Sequence, residues 1–150
     1  MRSGFNKFAF SALFVSLLTL SGFAQGLPEG KWQLVSYNFQ QKIAFPIDRS
    51  GITLNIRPNG RLGGSTGCNV YGGSYSFEDG KLKIGDLIST MRACDEPSTQ
   101  FEQLFSKTLE GASAFELKDA DLTITDTKTG NFLRFERVKE SQLLCLPPKN

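Results

Sequence analysis

The stretch from Gly60 to Cys94 constrains the fold more than any other part of the chain. Six of the 15 glycines lie between Gly60 and Gly73, and two of the three cysteines, Cys68 and Cys94, lie in the same stretch. Glycine at this density marks a backbone that bends or that another group approaches closely. A disulfide between the two cysteines would hold such a bend in place.

The first 24 residues have the three parts of a secretory signal peptide. Arg2 and Lys7 make the start positive, an apolar run of 13 residues ends at Leu20, and small residues precede a cleavage site after Ala24. A transmembrane anchor is the alternative, but it needs about 20 apolar residues. We predict cleavage near Ala24 and export of the mature chain, which would be periplasmic or secreted.

The charge of the mature chain excludes some classes of partner. Arg2 and Lys7 lie in the predicted signal peptide, which has no acidic residue, so the rest of the chain has 15 basic and 15 acidic residues. This balance leaves no basic patch for nucleic acid or for an anionic membrane surface. No later segment is long and apolar enough to span a membrane. We expect one domain at residues 25–138, a flexible tail at 139–150, and a monomer.

Alternating apolar and polar residues predict an antiparallel meander of about eight short strands, strongly curved or barrel-like. The predicted strands lie near residues 30–39, 52–58, 61–65, 70–77, 81–84, 114–117, 122–125 and 131–138. Residues 87–91 are either a further edge strand or a strand that leads into a loop. In the first strand, Trp32 and Leu34 are expected to share one face. Tyr37 and Phe39 are expected on the opposite face, because side chains alternate along a strand.

One helix is predicted before the last three strands. Asp95 or Glu96 can cap its start, and Pro97 suits its first turn. Glu102 lies early enough to interact favourably with the helix dipole, and Gly111 ends the helix. Its apolar residues recur at helical spacing on one face: Phe101, Leu104, Phe105 and Leu109. Such a face covers a sheet, so the predicted fold class is α+β.

The chain lacks the groups that common hydrolases and metal sites use. Residues 63–67 match the Gly-x-Ser-x-Gly pattern of a nucleophile elbow, in which Ser65 would be the nucleophile. The chain contains no histidine, so the usual general base is missing. The cysteines also lack the close ligand spacing of a zinc site. We therefore predict no enzyme activity, no catalytic residue, no cofactor and no metal site.

Two motifs stand out in the glycine- and cysteine-rich stretch: Gly67-Cys68-Asn69-x-Tyr71-x-Gly73-x-Tyr75 and Thr90-Met91-x-Ala93-Cys94. Together with Trp32-x-Leu34, Leu122-x-Ile124 and Phe132-x-x-Phe135, they resemble the META domain of the HslJ-like family over residues 30–138. The resemblance implies a small antiparallel β domain packed on a helix, in exported or envelope-associated bacterial proteins linked to stress responses. It implies no catalytic activity and no cofactor.

The resemblance marks its motif positions as structural or ligand-binding: Gly67, Asn69, Tyr71, Gly73, Thr90, Met91 and Ala93. The Asn69 amide either holds a turn through backbone hydrogen bonds or contacts a ligand. Tyr71 and Tyr75 either pack against neighbours or frame a groove.

Three cysteines allow three single pairings. We favour a disulfide between Cys68 and Cys94, because each belongs to a motif and an exported chain meets an oxidising compartment. The alternatives are buried free thiols, or a bond from Cys145 to either of the other two.

Two functions remain open from the sequence. The first is a non-enzymatic, exported interaction module that supports envelope stress tolerance, with an envelope protein as its partner. The alternative is a small apolar ligand bound in a cavity between sheet and helix, which the 13 phenylalanines suggest. Filled packing among four of them would count against that cavity: Phe101, Phe105, Phe132 and Phe135.

Overall fold

The structure is a computed structural model that describes residues 26–48 and 51–139. The predicted signal peptide and Cys145 lie outside these residues. The described residues form nine strands and one helix: β1 (Gly30–Phe39), β2 (Lys42–Ala44), β3 (Ile52–Arg57), β4 (Arg61–Thr66), β5 (Val70–Glu78), β6 (Lys81–Ser89), α1 (Glu96–Glu110), β7 (Ala114–Lys118), β8 (Asp121–Asp126) and β9 (Asn131–Arg137).

Eight of the strands form one curled antiparallel sheet in the order β6-β5-β4-β3-β1-β9-β8-β7, and the short β2 pairs beside β1. The two end strands approach each other, so the sheet is a half-barrel. The Leu82 amide of β6 donates to the Ser113 carbonyl just before β7 at 3.1 Å, and the rings of Phe77 and Phe115 lie 5.8 Å apart. The predicted fold class is confirmed.

A β-bulge in β1 corrects the predicted faces of that strand. Leu34 lies opposite Phe135, but Ser36 lies opposite Arg134, so β1 has one extra residue at this point. An extra residue reverses the alternation of side chains between the two faces. Phe39 therefore joins Leu34 in the core instead of lying on the opposite face.

A second bulge joins two segments that the sequence suggested were separate. Residues 81–84 and 87–91 were expected apart, but β6 runs through to Ser89. Gly72 lies opposite Ile88 whereas Ser74 lies opposite Gly85, which places the extra residue in β6. Asp86, at this bulge, has a φ of 54°, a conformation that Asp adopts more readily than most side chains.

The helix begins and ends where its capping residues predict. The Asp95 side chain accepts a hydrogen bond from the Ser98 amide at 2.8 Å, and Pro97 lies in the first turn. The Gly111 amide donates to the Lys107 carbonyl at 3.0 Å. Phe105 and Leu109 are buried against the sheet, which confirms the predicted apolar face of the helix.

Large side chains fill the space between α1 and the sheet. Trp32, Phe105 and Phe135 are each at most 1% exposed, and burial of one such side chain stabilises the fold by about 1.5–3 kcal/mol. Phe132 does not belong to this packing, because Leu133 and Phe135 face the core and side chains alternate along β9. Phe132 therefore lies outside the packing that would count against an internal cavity.

The turn between β8 and β9 is held by the buried Asp126. Its Oδ2 accepts from the Thr129 hydroxyl at 2.6 Å, and its Oδ1 accepts from the Lys128 amide at 2.9 Å. The hydrogen bond from Thr129 is the main cause that lowers the pKa of Asp126 below its ordinary value. The folded state therefore favours the ionised carboxylate.

This lowered pKa predicts an acid-sensitive contribution to stability. The contribution is complete above the unfolded-state pKa of about 4 and is lost as pH falls through the lower native pKa. We expect Asp126→Asn to flatten the decline in urea midpoint between neutral and strongly acidic pH. Asp79→Asn, in the exposed turn between β5 and β6, is the control and should follow the wild type. Parallel curves for Asp126→Asn and wild type would contradict the prediction.

Candidate functional site

A disulfide joins the two sequence motifs, residues 67–75 and residues 90–94. Cys68 lies in the turn between β4 and β5, and Cys94 lies in the loop that leads from β6 into α1. Their sulfur atoms are bonded, with Cα atoms 6.2 Å apart. This is the pairing favoured from the sequence, and it joins the β4–β5 turn to the start of the helix.

Asn69 is buried beside the disulfide, with 4% of its surface exposed. Its Nδ2 donates to Glu102 Oε2 at 2.7 Å. Its Oδ1 accepts from the Thr90 hydroxyl at 2.8 Å and from the Arg92 amide at 2.9 Å. A buried amide is unfavourable unless its polar atoms are bonded, and here they are. These contacts support the structural interpretation of Asn69.

Glu102 is the residue of this site whose role the sequence did not show. The sequence suggested only an interaction with the helix dipole. In the structure, its carboxylate accepts from the backbone amide of Asn69 at 2.9 Å, from the Asn69 side chain, and from the Thr66 hydroxyl. We call these residues the Asn69 cluster: Thr66, Asn69, Thr90 and Glu102. In the sequence, the only indication of this role was the position of the Glu102 carboxylate beside the apolar face of the single helix.

Thr90 connects the second motif, residues 90–94, to the Asn69 cluster. Besides donating to Asn69, its hydroxyl accepts from the Val70 amide at 3.2 Å. Met91 and Ala93 take no part, since both side chains are exposed. The structure therefore brings Thr90 and Cys94 of the second motif to the first motif and leaves the residues between them at the surface.

The Tyr71 ring packs inside the domain, which is the first of the two alternatives that the sequence left open. Its ring lies 5.4 Å from that of Phe105, and its hydroxyl donates to the Thr53 carbonyl at 2.9 Å. Burial raises the pKa of Tyr71 above its ordinary value. Gly64 leaves the space that this hydrogen bond needs. A Cβ on Gly64 would lie 1.9 Å from the Thr53 carbonyl oxygen and 3.0 Å from the Tyr71 hydroxyl.

The motif glycines have backbone roles. Gly67 has a φ of +98°, which is unfavourable for residues with a Cβ. A Cβ on Gly73 would lie 2.8 Å from the Gly85 carbonyl oxygen and 2.8 Å from the Leu87 side chain. Gly67 is therefore needed for the β4–β5 turn, and Gly73 for the close approach of β6 to β5.

The chemistry of this site is that of a closed structural link. Cys68, Cys94 and Glu102 place potential metal-binding atoms within 4.8 Å of one another, but sulfurs joined in a disulfide are not thiolate ligands. The Ser65 hydroxyl accepts a hydrogen bond from the Gly67 amide at 3.1 Å, as in an ordinary turn. The site fixes the β4–β5 turn to α1.

The fold and this site define a class: a small half-barrel β domain whose single helix is held by a disulfide and a buried asparagine–glutamate contact. The sequence model of the META domain family matches residues 25–139. The chain belongs to the META domain family.

Solved structures share this fold. A protein from Burkholderia xenovorans, solved by NMR, is 26% identical with a TM-score of 0.62, and the match covers 76% of this chain and 85% of that one. A DUF4847 family protein from Bacteroides vulgatus is 12% identical with a TM-score of 0.55, over 75% of this chain and 94% of that one. No curated protein matches the chain. Within residues 26–48 and 51–139, no helix has the length and apolar character needed to cross a bilayer.

Proposed function

We propose that this META domain is an exported, non-enzymatic interaction module of the bacterial envelope that supports stress tolerance. The disulfide supports export, because such bonds persist in oxidising compartments. The Asn69 cluster supports a non-catalytic role, because its polar groups are engaged with one another. An interaction module also needs a surface that a partner can cover.

An exposed row of apolar side chains carries this proposal. Ile43 and Phe45 are each 65% exposed, and Ile47 is fully exposed. These three residues, at every second position, are the apolar row. Large exposed apolar side chains grouped within one short segment are a feature of interaction sites.

The strand β2, which contains Ile43 of the apolar row, has one edge that pairs with no other described strand. Among the described strands, β2 pairs only with β1. The other edge of β2 therefore presents backbone groups that can pair with a further strand. The partner that fits this surface is an extended segment of an envelope protein with apolar side chains, added beside β2.

The alternative function has less support. A small apolar ligand between sheet and helix would need the space that Trp32, Phe105 and Phe135 occupy. We therefore place the partner at the surface and not in the core.

Site-specific photo-crosslinking in the producing cells tests the proposal. A photoreactive residue at Phe45 should give a discrete protein adduct, and Ile43→Lys should abolish it, because a charge in the apolar row opposes burial. Leu117, an exposed leucine on β7, is the matched control and should give no such adduct. Loss of stress tolerance in an Ile43→Lys strain with normal protein levels is also expected. No adduct from position 45, together with full tolerance in the variant, would overturn the proposal.

A further inference from the structure

A groove of about 510 Å³ lies on the face of the sheet that points away from α1. It crosses β3, β4, β5 and β6, and we call it the outer groove. This volume falls in the range of about 300–1,000 Å³ that small-molecule sites occupy. Its lining includes two arginines, Arg57 and Arg61, the carboxylate of Asp86, and four neutral polar side chains, Thr53, Asn55, Ser65 and Ser74.

The floor of the outer groove is a pair of glycines, Gly63 and Gly72, which lie directly opposite each other on β4 and β5. Gly63 is explained by the fold, because a Cβ there would lie 2.7 Å from the Tyr71 carbonyl oxygen. Gly72 is not explained in this way: the nearest atom to its Cβ position is the Leu62 carbonyl oxygen, at 3.8 Å. A glycine inside a strand destabilises it, and such positions mark close approach of a ligand or backbone.

One end of the outer groove carries two arginines. Arg57 and Arg61 lie directly opposite each other on β3 and β4. Among the described residues, neither guanidinium takes part in an ion pair; those present join Lys83 to Glu78 and Arg134 to Asp121. Like charges directly opposite each other on neighbouring strands are destabilising. A bound anion would relieve this repulsion, and guanidinium groups bind carboxylates and phosphates in a bidentate geometry.

The other parts of the outer groove suit a molecule with hydroxyl groups and a C–H face. Ser74 lies opposite Arg61 on the neighbouring strand. Its hydroxyl donates to the Asp86 carboxylate at 2.9 Å, so this pair offers acceptor atoms for the hydroxyl groups of a ligand. Ile88, which is 75% exposed, forms an apolar wall on the far side of the glycine floor. A sugar ring has this combination of polar edges and an apolar face.

We propose that the outer groove binds an anionic sugar. The carboxylate or phosphate of the sugar lies between Arg57 and Arg61, and its ring lies over Gly72 with its C–H face toward Ile88. This inference does not depend on the apolar row of the proposed function, since the two surfaces share no residue.

Titration of the mature full chain with defined probes, followed by amide NMR shifts, tests this site. Glucuronic acid and glucose 6-phosphate should bind and shift the Gly63 and Gly72 amides, and neutral glucose should bind at least about tenfold more weakly, the loss expected for charge-assisted hydrogen bonds. Inorganic phosphate that binds as tightly as glucose 6-phosphate would overturn the assignment to a sugar. No saturable shift with either anionic sugar would overturn the site itself.

Substitutions in the outer groove distinguish a loss of ligand binding from a loss of folding. Arg57→Gln and Arg61→Gln should each weaken binding of glucuronic acid about tenfold, whereas Arg92→Gln, an exposed arginine outside the groove, should leave it unchanged. Gly72→Val fills the floor and should abolish binding without lowering the melting temperature, because valine favours strands. Gly72→Ala is the milder variant if valine disturbs the sheet. Unchanged affinity in a folded Gly72→Val or Gly72→Ala protein would overturn the proposal.

Discussion

Cys68→Ser and Cys94→Ser should each lower the free energy of unfolding by about 3–4 kcal/mol, from the chain entropy that a disulfide across this loop removes. For a domain of this size, the melting temperature should fall by roughly 10–15 °C. The two cysteines are 26 residues apart and are bonded to each other. Since either substitution already breaks the bond, the double variant should lose little more than a single one.

Thermal unfolding of the two single variants and the double variant, with and without a thiol reductant, measures this. The reductant should lower the melting temperature of the wild type to nearly that of the double variant and should leave the double variant unchanged. Additive losses in the double variant would mean that Cys68 and Cys94 stabilise the fold independently and not through a shared bond.

Glu102→Ala has the second largest expected effect, a loss of roughly 2–4 kcal/mol. The carboxylate accepts from the Asn69 amide, the Asn69 side chain and the Thr66 hydroxyl. Alanine would leave the Asn69 side-chain amide with only the weak acceptor sulfur of Cys94, and the Asn69 backbone amide with only the Thr66 hydroxyl, at a site where Asn69 and Thr66 are buried. An unbonded buried donor is more destabilising than a lost surface hydrogen bond.

Two further variants show whether acceptor loss is the cause. Glu102→Gln keeps one carbonyl oxygen but directs an amide group at a neighbouring donor, so its loss should be intermediate, about 1–2 kcal/mol. Gln103→Ala, at the exposed neighbouring position on the helix, should change stability little. Urea unfolding of all three gives the comparison, and equal stability of Glu102→Ala and Gln103→Ala would contradict a role for the Asn69 cluster.

Structural features that depend on neighbours in the chain could be predicted from the sequence. The helix cap at Asp95 and its end at Gly111 follow from the preferences of single residues near a helix terminus. The alternation of Ile52, Leu54 and Ile56 predicts which face of β3 is buried, and all three are buried. Such patterns have the period of one strand or one helix, and the sequence displays them directly.

Features that depend on the register between two paired strands could not be predicted from the sequence. The bulge at Val35 changes the face of every later residue in β1. Alternation within β1 cannot reveal it, because the extra residue is defined only relative to β9. The floor of the outer groove was missed for the same reason: Gly63 and Gly72 are separate glycines in the sequence and become one surface only when β4 pairs with β5.

The sequence by itself determined the antiparallel half-barrel, its single helix and the two motifs, because these follow from local periodicity, capping residues and turn glycines. Only the tertiary structure decided that Asn69 bonds to Glu102, 33 residues away, and that Arg57 and Arg61 lie directly opposite each other. The physical reason is that such contacts depend on how the sheet curls and where the helix packs, and both are set by the whole core at once.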